Sequence, residues 1–544
     1  MPRALLVVTA LLAALAGAAV LGRIWWLERT TPPAALRLPT SGQSAPPGAT
    51  APDRLPVASA GADVIAALAR DLQRPDVRRG EAVLTFKDNA VYRSFLQRAA
   101  RNGLTVLDRR DGLRSARVKF DAFAALEREL SAHGHDHLAA AANALFTVPA
   151  PPPREDRPDR VQVPFGNATL AFLGADGDRS AWGRGVTIAV LDTGVAPDAT
   201  FGSGRLRTLD LGLGTAPGPA RADGHGTGVA ALAAGAAPDA PGVAPAAGVL
   251  SIRVTDADGL SDLFTVAAGI VAATDAGARI INVSLGGHST GAVLDAALAY
   301  AVERGALVVA AAGNDQASRL AWPAADPRVV SVGAVDRAEQ QVAFSNSGSQ
   351  LQLAAPGYGV QTAWLGGERA LVSGTSASAP LVAGTLAAVL AQNPGLSPAQ
   401  AVALLAATAS DAGEPGRDPA YGAGILNAGW ALNRDNPAYV DPAVTAHRYD
   451  AAAGTMEFTV QNRSGRTVTG LSLAVTAGTV TSPQAVPGLA PGESYVVRVP
   501  VNPAAAAADG TVTFATHLVN PLGLPDRNPA NNRRTSVLTL APRP

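Results

Sequence analysis

Cysteine is absent from this 544-residue chain, so neither disulfides nor thiolate ligands hold it together, and it can fold in either redox compartment. Methionine is almost absent, occurring only as Met1 and Met456. Net charge is absent as well, with 44 basic against 44 acidic residues, which removes the electrostatic case for nucleic acid or an acidic partner. The basic residues are nearly all arginine, Lys87 and Lys119 being the only lysines; together with abundant alanine this is the composition of a GC-rich bacterial coding sequence. Aromatic residues are missing from residues 31–60, where Pro, Ala, Ser, Thr and Gly dominate, so residues 31–61 read as a disordered linker that cannot bury enough surface to order itself.

Ahead of that linker, Arg3 precedes 19 uncharged, mostly apolar positions, residues 4–22, followed by Arg23-Ile24-Trp25-Trp26-Leu27. The run is longer than the usual apolar core of a signal peptide and close to the length of a membrane span flanked by interfacial tryptophans. Residues 1–30 therefore read as a signal peptide or a signal anchor, and either places the remainder outside the cytoplasm, secreted, periplasmic or membrane-anchored.

The chemistry concentrates in Asp192-Thr193-Gly194, His225-Gly226-Thr227-Gly228 and Gly374-Thr375-Ser376-Ala377-Ser378-Ala379-Pro380. A serine hydroxyl is a poor nucleophile at neutral pH; it needs an imidazole to take its proton and a carboxylate to hold that imidazole in the right tautomer. Residues 185–191 form a short apolar, β-branched run, which puts Asp192 at the carboxyl end of a buried parallel strand, where open α/β sheets carry their sites. His225 precedes a small-residue helix, and Ser376 precedes another. Taken singly, each has a bland reading: a turn aspartate, a structural histidine, a serine that caps its helix. Their joint occurrence favours Asp192, His225 and Ser376 as a catalytic set. The helix start at Ser376 also supplies amide dipoles, so that the Ser376 N–H and the Asn314 side chain, in Ala311-Ala312-Gly313-Asn314, could bind an oxyanion.

The order Asp, His, Ser and the residues flanking each one resemble the subtilisin-like (subtilase) family over roughly residues 161–432. The resemblance implies a doubly wound, mostly parallel α/β sheet and a serine endopeptidase acting on proteins or peptides. It identifies Asn314 with the oxyanion-hole asparagine, Ser284, Leu285, Gly286, Gly287, Ala311, Ala312 and Gly313 with backbone that flanks substrate, and Trp322-Pro323 with a cis-proline turn. The departures are Gly228 where a second histidine is frequent, Ala231 where glycine is usual, Ala377 where methionine commonly follows the nucleophile, and a short stretch at residues 315–320. Two competing readings are a catalytically silent binding scaffold on the same fold, and an α/β-hydrolase esterase. The esterase lacks its Gly-x-Ser-x-Gly elbow here and would run Ser, Asp, His.

Residues 82–86, 91–100, 104–107, 116–120, 122–130 and 144–148 alternate as strand, helix, strand, strand, helix and strand, the split βαβ order of a ferredoxin-like α+β domain. Lying just before the subtilase-like part, this segment resembles the family's inhibitory propeptide, an intramolecular partner of the active site, with a self-processing bond expected between residues 144 and 163. Beyond residue 432, runs at 456–461, 471–475, 495–501, 511–518 and 535–540 read as an antiparallel sandwich resembling immunoglobulin-like adhesion modules. The expected division is thus 1–30, linker 31–61, propeptide-like 62–150, catalytic 151–434 and sandwich 435–544. No cofactor is expected: residues 256–262 look superficially like a calcium loop but lack the distal glutamate and read as a turn, and structural calcium has no identifiable site.

Overall fold

The computed structural model describes residues 25–26, 62–149, 162–211, 224–256, 258–414, 416–507, 510–521 and 525–540. The apolar run at 4–22, the linker and most of the expected processing segment, residues 150–161, lie outside them. The chain forms two compact units, one spanning Ala51–Leu432 and the other taking in Asn433–Pro544.

The first unit opens with α1 (Ala62–Asp71), β1 (Val77–Phe86), α2 (Asn89–Arg98), β2 (Thr105–Arg110), β3 (Ser115–Lys119), α3 (Phe123–His133) and β4 (His137–Thr147). Their strands form an antiparallel sheet in the order β4, β1, β3, β2. Period-two alternation sorts β1 between two cores: Ala82, Leu84 and Phe86 pack with Phe95 and Leu126 of its own helices, while Val83 joins Leu113, Ala144 and Phe146 on the opposite face. The expected βαββαβ order is present, with α1 as an unforeseen leading helix. The last strand starts seven residues earlier than its expected start at residue 144. Its run Ala139-Ala140-Ala141-Ala142 favours helix in isolation, but pairing with β1 overrides that preference.

The sheet that follows is parallel throughout: β5 (Thr187–Asp192), β6 (Leu206–Leu209), β7 (Gly248–Arg253), β9 (Ile280–Val283), β10 (Leu307–Ala311), β11 (Val330–Val335) and β12 (Leu353–Pro356), with β8 (Leu260–Asp262) standing apart. Its order is β12, β11, β10, β9, β5, β7, β6, so the winding reverses beside β5. Strands are apolar at consecutive positions because both faces are covered. Ile188 and Val190 face a core shared with α4 (His225–Ala234) and α7 (Thr375–Gln392), whereas Ala189 and Leu191 face α5 (Leu263–Asp275) and α6 (Ala292–Glu303). By the same alternation Asp192 points to the side of α4 and α7. Helix α7 is long and apolar enough to cross a membrane, yet 89% of it is buried as the central helix of this core.

The second unit is a pair of antiparallel sheets, one of Pro442–Asp450, Thr455–Asn462 and Ser494–Pro500, the other of Ser472–Ala477, Val480–Ala485, Thr511–Val519 and Arg533–Thr539, with Trp25–Trp26 pairing parallel to the last strand. Met456, Phe458, Leu473 and Phe514 fill the space between them. The strand at Val480–Ala485 was not anticipated because it is an exposed edge without apolar alternation and carries Pro483.

Candidate functional site

Asp192 is the last residue of β5 and fully buried, and His225 opens α4 with its Nδ1 2.8 and 3.0 Å from the two Asp192 carboxylate oxygens. Nδ1–H donates to that carboxylate, so Nε2 is left as the proton acceptor. The Thr193 N–H donates to Asp192 Oδ1 at 2.7 Å, and the Thr193 hydroxyl accepts the Gly226 N–H at 3.1 Å, which locks the two motifs together. Glycine is required at 226, because a Cβ there would lie 3.1 Å from both Cβ and Oδ1 of Asp192 and collide with the Gly194 carbonyl.

The parallel ladder pairs Val283 of β9 with Leu191 of β5, so Ser284 emerges one strand spacing, about 4.8 Å, from Asp192. Ser376 is fastened to this point. Its hydroxyl donates to the Ser284 carbonyl at 3.0 Å, and its own carbonyl accepts the Ser284 hydroxyl at 3.1 Å. Ser376 thus lies within the first turn of α7 and makes no capping hydrogen bond; the N-cap position is Gly374. The capping explanation for this serine is removed, and in this state the hydroxyl is turned to Ser284 and not to His225.

Asn314 follows the end of β10, the next strand over. Its Oδ1 accepts both the N–H and the hydroxyl of Thr375, each at 2.9 Å, and the Thr375 hydroxyl also accepts the Gly313 N–H at 3.2 Å. With the oxygen committed, the Nδ2 donors form the free end of the amide beside the first turn of α7. The arrangement can therefore offer an imidazole acceptor, a hydroxyl and a side-chain amide donor around one point at the carboxyl ends of β5, β9 and β10.

Of the expected substrate-flanking segments, the one at Ser284–Gly287 is engaged. Thr147 of β4 exchanges two hydrogen bonds with Gly286, its N–H donating at 2.9 Å and its carbonyl accepting at 3.1 Å. Gly287 has no room for a side chain, since a Cβ would meet the Leu145 carbonyl at 2.7 Å and the Phe146 ring at 2.8 Å. The segment at Ala311–Gly313 spends its backbone internally, Ala312 N–H on Val332 and Ala312 carbonyl on Ala321. The second edge against β4 is β8, paired as Leu260 with Thr147, Ser261 with Phe146 and Asp262 with Leu145. Residues 256–262, which the family resemblance places at the cleft rim as a turn, lead into this edge: Asp256 Oδ1 accepts the N–H groups of Asp258 and Leu260.

Further residues act here without having been anticipated. Asn282, the one polar residue in the buried strand Ile280–Val283, donates to the Ser284 hydroxyl at 2.9 Å, and that interruption of an apolar run was its available signal. Trp364 occupies the space beside Gly224 and Gly228; a Cβ at Gly228 would lie 3.0 Å from Thr362 and 3.4 Å from the Trp364 ring, which accounts for glycine at this departure from the family pattern. The Trp322-Pro323 peptide is cis. Among the described residues, no three His, Cys, Asp or Glu side chains gather where they could hold a metal ion.

Residues 183–424 match the Subtilase family. Subtilisin BL of Lederbergia lenta is 37% identical over 275 residues, covering 49% of this chain and 97% of that protein. An alkaline protease of Shouchella clausii is 36% identical over 275 residues, covering 49% of this chain and 69% of its own length. A solved cold adapted subtilisin-like serine proteinase is 33% identical with a TM-score of 0.40, covering 45% of this chain and 88% of that one. A relative matched over nearly its whole length at this identity fixes the assignment: the chain belongs to the subtilase family and is a subtilisin-like serine protease.

Proposed function

We propose that the protein is an extracytoplasmic serine endopeptidase, made as a self-processed zymogen, in which Ser376 is the nucleophile, His225 the general base and acid, Asp192 the residue that orients His225, and Asn314 with the Ser376 N–H the oxyanion hole. The observation that carries this reading is the Asp192–His225 contact one strand away from the Ser284 carbonyl that holds Ser376. In the reaction the hydroxyl leaves Ser284, gives its proton to His225 Nε2 and adds to the peptide carbonyl. His225 then returns the proton to the departing amine, and water releases the ester in a second round.

The zymogen reading draws support from the antiparallel β4, which occupies both edges of the cleft in the manner of an added strand. Its sheet is also fastened by charge: Arg78 and Arg117 reach the buried Asp262 at 3.4 and 3.5 Å, and Arg74 donates to Ser289 at 2.7 Å. A region so held blocks substrate until it is removed. The apolar residues 4–22 would deliver the chain across a membrane and either stay as an anchor or be cut away, and the sandwich at 435–544 would serve as a spacer or tether. Labelling the processed protein with a serine-directed fluorophosphonate and digesting casein with wild type and Ser376→Ala tests the reading. Label on Ser376 and casein cleavage only by the wild type are expected; a silent scaffold gives neither, and an esterase labels but spares casein.

A further inference from the structure

The register of β4 across the cleft fixes which residue of the N-terminal region faces the nucleophile. Thr147 and Gly286 exchange both of their hydrogen bonds, so they form a hydrogen-bonded antiparallel pair, and continuing that register by two residues on each segment would set Pro149 opposite Ser284. Successive N–H groups of a strand point to opposite edges: Thr147 donates to Gly286, Val148 donates to Gly259 at 3.2 Å on the β8 side, and the donor of residue 149 is due at the Ser284 carbonyl. Residue 149 is proline and has no N–H. The Ser284 carbonyl is instead the acceptor of the Ser376 hydroxyl, at 3.0 Å.

We propose that Pro149 is the residue presented to Ser376, and that its missing N–H makes the bond on its carboxyl side a slow one, so that the N-terminal region persists as an inhibitor. This rests on the protease and zymogen reading above. A residue with an N–H at position 149 would compete with the Ser376 hydroxyl for the Ser284 carbonyl, turning the hydroxyl toward His225 and completing the ladder that seats the scissile carbonyl. With proline there the hydroxyl stays on the Ser284 carbonyl and must turn away from it before its proton can pass to His225. When cleavage does occur, a bond forms between Ser376 Oγ and the Pro149 carbonyl carbon, the bond from that carbon to the nitrogen of residue 150 breaks, and the hydroxyl proton travels through His225 to the new amine. Water then hydrolyses the ester, leaving a carboxylate on Pro149 and restoring Ser376.

The test uses the full chain as wild type, Pro149→Ala, Pro149→Leu and Ser376→Ala, following fragments over time by intact mass and N-terminal sequencing. Both position-149 variants restore the N–H while differing in side chain, and a single exchange in this partly buried terminal stretch leaves the sheet in place. The expected result is a fragment beginning at Ala150 that appears on the order of tenfold faster in both variants than in wild type. Acceleration in neither variant, acceleration with leucine alone, or cleavage at another bond whose rate ignores residue 149 overturns the proposal. The underlying reading fails separately: processing that continues in Ser376→Ala refutes self-cleavage, and a wild type that never reacts with fluorophosphonate refutes the protease assignment of these residues.

Discussion

The parallel sheet and the antiparallel sheet packed against it in the first unit are stabilised by different means. Around β5, β9 and β10 the interior is Ala, Val, Leu and Ile on both faces, and α4 and α7 are built largely from alanine, glycine, valine and leucine. In the N-terminal sheet an ionic network is buried: Arg98 clamps Glu129 with bonds of 2.7 to 3.2 Å and reaches Asp136 at 3.0 Å, while Asn102 and His137 also touch Glu129. Burial pushes the Glu129 carboxyl up, but hydrogen bonds from His137, Arg98 and Asn102 outweigh it and hold the group at about 2. The interface between the sheets is also partly ionic, through Arg78, Arg117 and Asp262. Apolar packing is insensitive to pH, whereas buried ion pairs depend on every partner being present. The parallel sheet is thus held by packing, and the N-terminal sheet by an apolar core of its own together with buried charge.

If that division is right, changing a polar group beside the parallel sheet costs chemistry and little stability, and changing one in the N-terminal sheet does the reverse. The largest effect is expected for Ser376→Ala, which should lower casein hydrolysis by about a millionfold, the loss known for a subtilisin stripped of its serine, with a melting profile by calorimetry that matches wild type still carrying its N-terminal region. Asn314→Ala should follow, lowering kcat by about 10²–10³ with KM nearly unchanged, again a magnitude known from subtilisin. Glu129→Gln should leave the kinetics of the processed enzyme untouched and destabilise the N-terminal region by about 3 kcal/mol, because Arg98 loses the more buried of its two carboxylate partners; earlier onset of activity in the unprocessed chain would report it.

The pH dependence sharpens the same contrast. Glu129 stands at about 2 in the folded state against an ordinary 4.5, so its contribution is present above the ordinary value and is lost as pH falls from about 4.5 toward 2. Acid melting of the N-terminal region should follow that window in wild type and lose the Glu129 step in Glu129→Gln. The smallest effect is a null one: mild peroxide should leave activity intact, because Ala377 follows the nucleophile and Met456 is buried in the core of the second unit. Rapid inactivation without backbone cleavage would contradict it.

Much of this was legible in the chain. Asp192 at a strand end and His225 at a helix start followed from apolar runs whose length and composition leave little choice, whereas the crowding around Asp192 that requires glycine at 226 is visible only in the fold. What stayed hidden is long-range pairing. Nothing local in Ala139–Ala142 announces a strand, since its partner β1 lies more than fifty residues earlier, and Leu260–Asp262, which reads as a turn at the cleft rim, becomes a strand only when β4 lies beside it. Ser376 taken alone reads as a helix cap for the same reason: the bond that removes it from a capping role comes from Ser284, beyond the end of another strand. Likewise Pro149 acquires meaning only through the register of Thr147 on Gly286.

Whether Asp192, His225 and Ser376 act together is measured most directly by fluorophosphonate labelling across pH of protein freed of its N-terminal region, in every variant, by added active enzyme, with the modified residue located by peptide mapping. Stoichiometric label on Ser376 that is lost in His225→Ala and sharply reduced in Asp192→Asn is the predicted result. Label on another serine, or label on Ser376 that is indifferent to both substitutions, would contradict it.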